Sequence, residues 1–201
     1  GLGDVYKRQK LYIVFPFFCL LLLTSKERSK INMDGQAWCH WKLLSFSLTN
    51  MCWLFVNYLE FRTLFYYRIG SAHHLISWLF RKLDSLYITT PRQQVGGGLV
   101  IQHGFATIIS AKQIGENCKI YQQVTIGYNH ALQAPIIGNN VEICCGAKVI
   151  GGINIGDDSL IGANAVVIRD VPSHTIVGGI PAKIIKKNEL FNLSRLDQYQ
   201  Q

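Results

Sequence analysis

The chain has no Cys-x-x-Cys pair, although it has six cysteines: Cys19, Cys39, Cys52, Cys118, Cys144 and Cys145. Adjacent Cys144 and Cys145 make a poor metal motif, which argues against a zinc-ribbon or thioredoxin-type site. Reduced thiols packed as small hydrophobes, in a cytosolic setting, are expected instead. A phosphate loop is also missing. No Lys follows Gly96-Gly97-Gly98 or Gly151-Gly152 in the required place, so nucleotide hydrolysis of that type is unsupported. There is no basic stripe. The net charge is +8, but residues 99–182 carry four bases (Lys112, Lys119, Lys148, Arg169) against five acids (Glu116, Glu142, Asp157, Asp158, Asp170). Residues 1–33 hold six bases and two acids, so half of the excess lies there. Nucleic acid is therefore not an expected partner. Finally, no apolar run is long enough to span a bilayer. Residues 11–23 form a run of thirteen, interrupted by Pro16.

What the chain does have is a six-residue beat. An aliphatic residue recurs at Ile137, Ile143, Val149, Ile155, Ile161 and Val167, and earlier at Ile114, Ile120 and Ile126. Four places after the later beats come Val141, Ala147, Ile153, Ser159, Ala165 and Val171, mostly small or β-branched. Gly follows the beat at Gly115, Gly127, Gly138, Gly156 and Gly162. A short fixed period means stacked coils, and a period of six belongs to parallel β-helices. Each hexad makes one short strand and one turn, with the aliphatic residue pointing into a narrow axis. Ordinary alternating strands would not lock glycines to a period of six. The expected fold is mainly β: a left-handed parallel β-helix, or hexapeptide-repeat solenoid, with an N-terminal helical segment.

Four segments are expected. Residues 1–32 read as a leader foreign to the native protein, with Met33 as the true start. Lys7, Arg8 and Lys10 precede the apolar run as in a signal peptide, but no small-x-small cleavage site follows. A genuine membrane anchor is the alternative, and N-terminal sequencing of the native protein decides between them. Residues 33–90 read as helical. Trp41, Leu44, Leu48, Cys52, Phe55 and Leu59 recur at helical spacing, residues 61–69 continue to a C-cap at Gly70, and residues 75–86 suggest a further short helix. This aromatic-rich segment is either a cap on one end of the solenoid or a membrane-surface helix pair. Residues 91–187 form the solenoid. Pro91 opens it, with Val95, Ile101 and Thr107 six apart in the first coils. Between Ile126 and Ile137 the spacing is eleven rather than twelve, and the stretch between reads as a loop leaving the body. Residues 188–201 are a polar tail, helical or frayed.

His103 is the candidate base. It follows the inward Ile101 by two places and is flanked by Gly104, which permits close approach of a ligand. A neutral imidazole suits removal of a hydroxyl proton near neutral pH. A plain surface histidine is the competing reading. His130, in the excursion loop, either orients a substrate or is solvated surface. His174, after Pro172 and Ser173, reads as structural.

Five stretches carry a family resemblance. They are Val100-Ile101-Gln102-His103-Gly104, Gln122-Gln123-Val124-Thr125-Ile126-Gly127 and Ile143-Cys144-Cys145-Gly146-Ala147-Lys148-Val149-Ile150-Gly151, then Ile161-Gly162-Ala163-Asn164-Ala165-Val166-Val167 and Val177-Gly178-Gly179-Ile180-Pro181-Ala182-Lys183-Ile184-Ile185. Together they resemble the left-handed β-helix acyltransferases, most of all serine acetyltransferase and its relatives in surface-polysaccharide clusters. About half of the chain is covered. The resemblance implies a homotrimer, with acetyl-CoA as co-substrate in the groove between two solenoids and no metal. It implies His103 as the base, and cofactor contacts at Gly127, Tyr128, Cys145, Gly146, Ala163 and Lys183, with Lys186 a further partner for phosphate. Gln102 and His130 are assigned to the acceptor.

Three departures bear on the acceptor. The family has an Asp paired with the base where this chain has Ile88. It has another Asp just before the base where this chain has Gln102. It carries Arg-His before the loop proline, where this chain has Gln133 and Ala134. The expected activity is therefore O-acetyl transfer from acetyl-CoA to a sugar hydroxyl of a surface polysaccharide or its precursor. Serine O-acetylation is the first alternative, and a non-catalytic trimeric solenoid is an alternative of another class. A zinc hydratase on this fold would need several facing histidines, which the groove lacks. The expected location is cytoplasmic, at the inner face of the membrane, with peripheral membrane association.

Overall fold

A computed structural model describes residues 2–188, with side chains from residue 11 onward. Four helices come first: α1 (Leu2–Thr24), α2 (Arg28–Trp41), α3 (Leu48–Asn57) and α4 (Leu59–Ile69). The strands that follow are β1 (Leu86–Ile88), β2 (Val100–Ile101), β3 (Thr107–Ile109), β4 (Gln113–Ile114) and β5 (Lys119–Ile120). Next come β6 (Thr125–Gly127), β7 (Ile136–Ile137), β8 (Glu142–Ile143), β9 (Lys148–Ile150) and β10 (Asn154–Ile155). The last are β11 (Leu160–Ile161), β12 (Val166–Val167), β13 (Thr175–Gly178) and β14 (Lys183–Lys187).

The strands build a three-faced β-solenoid. The first face stacks β1, β3, β6, β9 and β12; the second stacks β4, β7 and β10; the third stacks β2, β5, β8, β11 and β13, closed by β14. All pairings are parallel except β13 with β14. The beat is the reason. Ile109, Ile126, Val149 and Val167 stack on the first face, and Ile114, Ile137 and Ile155 on the second. Ile101, Ile120, Ile143, Ile161 and Val177 stack on the third, and every one of these side chains is buried.

The structure corrects the register in three places. Thr107 is not on the axis: Ile109 holds that position, because the turn carrying His103 has two extra residues. Val171 is not at a corner; it bridges to Ile155 on the second face. The step from Ile126 to Ile137 skips no strand, since β6 and β7 are consecutive sides of one coil and the loop is a direct insertion. The solenoid also starts before Pro91, because β1 pairs with β3 from Leu86 to Ile88.

Close stacking makes glycine obligatory at some corners. A Cβ on Gly138 would meet the Asp157 side-chain oxygen and would stand 2.8 Å from the Asp157 nitrogen and 3.0 Å from the Ile155 oxygen of the next coil. The last two are backbone, so the coils would have to part. Gly138→Ala is therefore expected to lower unfolding free energy by roughly 1–3 kcal/mol, the range for overpacking. Chemical denaturation measures this, and an unchanged midpoint would mean that the coils spread freely there.

The helices cap the open edge of the first coil. Its carbonyls have no coil below to pair with, and side chains take that role. Arg68 donates to the Val95 and Gly96 oxygens, and Trp38 donates to the Leu99 oxygen at 3.0 Å. Asp34 accepts the Leu99 N–H at 2.9 Å and pairs with Arg68 at 2.8 Å. At the far end β14 and the turn before it cover β13 and β12. Phe18 of α1 is fully buried, 4.8 Å from the Phe65 ring and 5.7 Å from the Phe55 ring. Helix α1 runs through Pro16, and the expected boundary at 32/33 falls inside α2.

Two helix expectations fail, each for a local reason. Residues 41–59 are not one helix. Lys42 ends α2, Leu43 takes a positive φ, and the Ser47 side chain caps α3 by accepting the Asn50 N–H. Residues 75–86 are not a helix either. After α4 stops at Gly70 (φ +62), a 3-10 turn covers Gly70–Leu75 and turns lead to β1. Side chains of α4 claim the polar backbone groups that a helix would use. Tyr66 donates to the Phe80 oxygen, Arg62 to the Arg81 oxygen, and Thr63 accepts the Leu83 N–H. The tail expected at 188–201 lies beyond the described residues, save Asn188.

Candidate active site

His103 sits where the third face turns into the first. The two extra residues lift this turn off the coil, and His103 (φ +59) and Ala106 (φ +51) take left-handed backbone to close it. The ring is exposed, while Gly104 behind it is buried. Thr107 anchors the turn by donating its N–H to the Ser85 oxygen at 3.1 Å. Gln102 is half-buried, with its N–H on the Ile120 oxygen at 2.8 Å.

The same corner recurs in each later coil and forms a vertical edge. Gln123 donates to the Phe105 oxygen at 3.0 Å, Gly146 to the Gln122 oxygen at 3.0 Å, and Asn164 to the Cys145 oxygen at 2.9 Å. Cys145, Gly146 and Ala163 thus lie on one edge with His103, at a rise of about 4.8 Å per coil. Lys183 tops this edge, paired with Gly178. It is exposed, as a phosphate partner must be. Lys186 pairs with Ile176 further along β14.

Gly127, Tyr128 and His130 are not brought to this edge. Gly127 ends β6, and Tyr128 and His130 follow it, at the opposite edge of the first face. The excursion loop there folds on itself: the Asn129 side chain accepts the Ala131 and Gln133 N–H groups at 3.0 Å. Under it lies a cavity of about 460 Å³, lined by Tyr128, Leu132, Gln133, Ala134 and others, with one cation, Lys112. His130 is exposed and does not line the cavity. One chain therefore holds His103 on one edge and the loop on another. His174, at the third corner, pairs with Asp158 at 3.4 Å, which fits its structural reading.

Cys144 is no candidate nucleophile. Burial, with the Glu142 charge second, pushes its thiol up to about 11, so it stays protonated at neutral pH. Among the described residues no three His, Cys, Asp or Glu side chains cluster to hold a metal. No described helix is long and apolar enough to cross a membrane.

Sequence reasoning missed three residues near these sites. Glu60, in the first turn of α4, packs against Gly104: a Cβ there would lie 3.2 Å from the Glu60 Cγ. Gln122, one coil above His103, has a buried side-chain oxygen with no hydrogen-bond partner among the described residues. Lys112 lines the loop cavity. No motif marks Glu60 or Lys112. Gln122 lies within a motif stretch but carries no signal of its own.

Comparison with known proteins gives a consistent result. A serine acetyltransferase of Synechococcus elongatus is 40% identical over 129 residues, covering 62% of this chain and 52% of that protein. One from Staphylococcus xylosus is 44% identical over 118 residues, 57% of this chain and 54% of that protein. The chain thus spans about half the length of these curated relatives. No protein-family model matches it. Among solved structures, Neisseria gonorrhoeae serine acetyltransferase in complex with serine superposes with a TM-score of 0.65 at 24% identity, over 83% of this chain and 72% of that one. The Brucella abortus enzyme gives 0.60 at 23%, over 90% and 74%. Those two likenesses establish the fold. Kinship rests on a Helicobacter pylori serine acetyltransferase, 39% identical over 134 residues that make up 61% of this chain and 78% of that protein. The chain belongs to the serine acetyltransferase family.

Proposed function

We propose that the chain is an acetyl-CoA-dependent O-acetyltransferase with His103 as its general base and L-serine as its first acceptor. The observation that carries this reading is the exposed His103 ring, held on a strained turn at the foot of an edge of aligned backbone turns, in a chain of this family. His103 takes the acceptor hydroxyl proton. The oxygen attacks the thioester carbonyl, the carbon–sulfur bond breaks, and the imidazolium returns the proton to the CoA sulfur. Cys145, Gly146 and Ala163 offer backbone to the pantetheine arm, and Lys183 offers charge to a phosphate. A homotrimer completes the site, because it lets the loop of one copy, with Gly127, Tyr128 and His130, face His103 of the next. Sedimentation at three chains per particle is expected, and a monomer that retains full activity would remove this arrangement.

Serine is supported by the names of the relatives and by Lys112, which gives the loop cavity one cation for a carboxylate. A second reading is a sugar hydroxyl of a surface glycan or its lipid-linked precursor. Gln133 and Ala134 favour it: neither carries a charge to pair with a carboxylate, and the Gln133 side-chain oxygen accepts from Asn129. Peripheral membrane association belongs to this second reading. On α1 Tyr12, Ile13, Phe17, Leu20 and Leu23 face outward.

The test is CoA-thiol release from acetyl-CoA with L-serine, free sugars and nucleotide sugars run side by side. Release with serine alone establishes the first reading. Release with sugars alone establishes the second. No release with any acceptor overturns the proposal.

A further inference from the structure

Helix α1 has two apolar sides, and the fold uses one. Val14, Phe18, Leu21 and Leu22 pack inward and are at most 5% exposed. At about 100° per residue, the opposite side carries Tyr12, Ile13, Pro16, Phe17, Leu20 and Leu23. All six are exposed, and the five large side chains keep 55–79% of their surface open. No charged residue interrupts the stretch from Tyr12 to Leu23. Thr24, at its edge, donates its hydroxyl to the Leu20 oxygen at 2.8 Å. A contiguous exposed apolar face of this kind marks an interaction surface.

Charge decides what covers it. Lys26 and Arg28 are exposed just beyond the face, while Glu27 between them is half-buried and pairs with Lys30 at 3.2 Å. In the sequence Lys7, Arg8 and Lys10 precede the face, with Asp4 the one acid among the first ten residues. Both ends of the apolar stretch are therefore basic. A second copy laid on it, parallel or antiparallel, would bring base against base. An anionic bilayer suits both features: the acyl boundary takes the apolar side and the headgroups take the cations. The helix must lie along such a surface rather than across it. Its inner side is fastened to α3 and α4, where Phe18 meets Phe55 and Phe65.

We infer that the outer side of α1 seats the chain on anionic membrane surfaces as an in-plane helix. The inference rests on the membrane association raised above and deepens it, by assigning the surface that binds and the lipid it selects. It does not depend on which hydroxyl is acetylated.

Flotation of the whole chain with lipid vesicles tests this. Binding to vesicles of equal parts phosphatidylcholine and phosphatidylglycerol is expected to exceed binding to phosphatidylcholine alone by at least about tenfold, in line with roughly fivefold per basic side chain at the surface. Added salt narrows the difference. Phe17→Ser combined with Leu20→Ser lowers binding at least about tenfold, and the fold survives by circular dichroism because both side chains already stand outside the core. Lys26→Glu combined with Arg28→Glu removes the preference for anionic lipid. Wild type that stays down with both vesicles overturns the inference, as does equal binding to the two, or binding that neither double variant changes. Particle association in sedimentation that Phe17→Ser with Leu20→Ser abolishes, without flotation, gives the face to a second copy and also overturns it. CoA release is run on the same proteins. Flotation without CoA release keeps the inference while the transferase reading falls; CoA release without flotation does the reverse.

Discussion

His103→Ala lowers turnover at least about a hundredfold, the low end of what a positioned general base contributes. The loss falls on kcat, because the ring acts on the proton in flight rather than on acetyl-CoA. Its position makes the experiment clean. The ring is exposed and nothing among the described residues leans on it, so the turn keeps its shape without the imidazole. The left-handed backbone at this place adds a modest strain for Ala, and circular dichroism with a thermal melt checks that the fold survives. Acetyl transfer at the wild-type rate in a folded His103→Ala protein would remove this residue from the mechanism. The first measurement is stopped-time CoA release with saturating acetyl-CoA and the best acceptor.

Asp34→Ala is the second large effect, and it strikes stability. Asp34 and Arg68 are both fully buried, and they meet at 2.8 and 3.1 Å in a two-pronged pair. Burial pushes the Asp34 carboxyl up, and Arg68 pulls against it. Around them the Leu99 N–H and the Val95 and Gly96 oxygens complete the network. Removing the carboxylate strands the guanidinium in the interior, which costs about 3–5 kcal/mol for a broken buried pair. Denaturant unfolding reads this directly, or the soluble fraction does if the variant is too unstable to purify. Replacing both residues with Leu and Met should cost less than Asp34→Ala alone, because no lone charge remains. A single variant that loses under about 1 kcal/mol, the worth of an exposed pair, would mean that water reaches the site.

The pair matters beyond stability. It fastens α2 and α4 to the strand that runs through Leu99 and Val100 into the His103 turn. The same helix α4 carries Glu60 at its other end. A loosened cap would therefore shift α4 against the His103 turn, and residual activity in Asp34→Ala should be lowered.

The solenoid was legible because its determinant is local and repeats. An aliphatic at every sixth place, with glycine beside it, can be satisfied only by coils that stack the same side chain on itself, and β6, β9 and β12 do so. The place of His103 was legible for a related reason: a histidine two places after an inward residue must emerge at a corner. Register was legible only where the period was kept. At His103 and at Val171 the chain changes its step, and counting by six put Thr107 and Val171 in the wrong places.

The helical segment shows the opposite case. Periodicity marked residues 41–59 and 75–86 as helical, yet Ser47 starts a new helix and the side chains of α4 hold the second stretch in turns. Those contacts join residues far apart in the chain, and no window of sequence contains both partners. Glu60 was hidden for the same reason, since it packs on Gly104 from across the fold. The sequence by itself determined the repeat, the axis residues and the corner that bears His103, because each depends on neighbours one coil away at fixed spacing. Only the tertiary structure decided what covers the first coil and which edge each proposed site residue joins. Those depend on long-range packing of unlike elements, for which the chain carries no period.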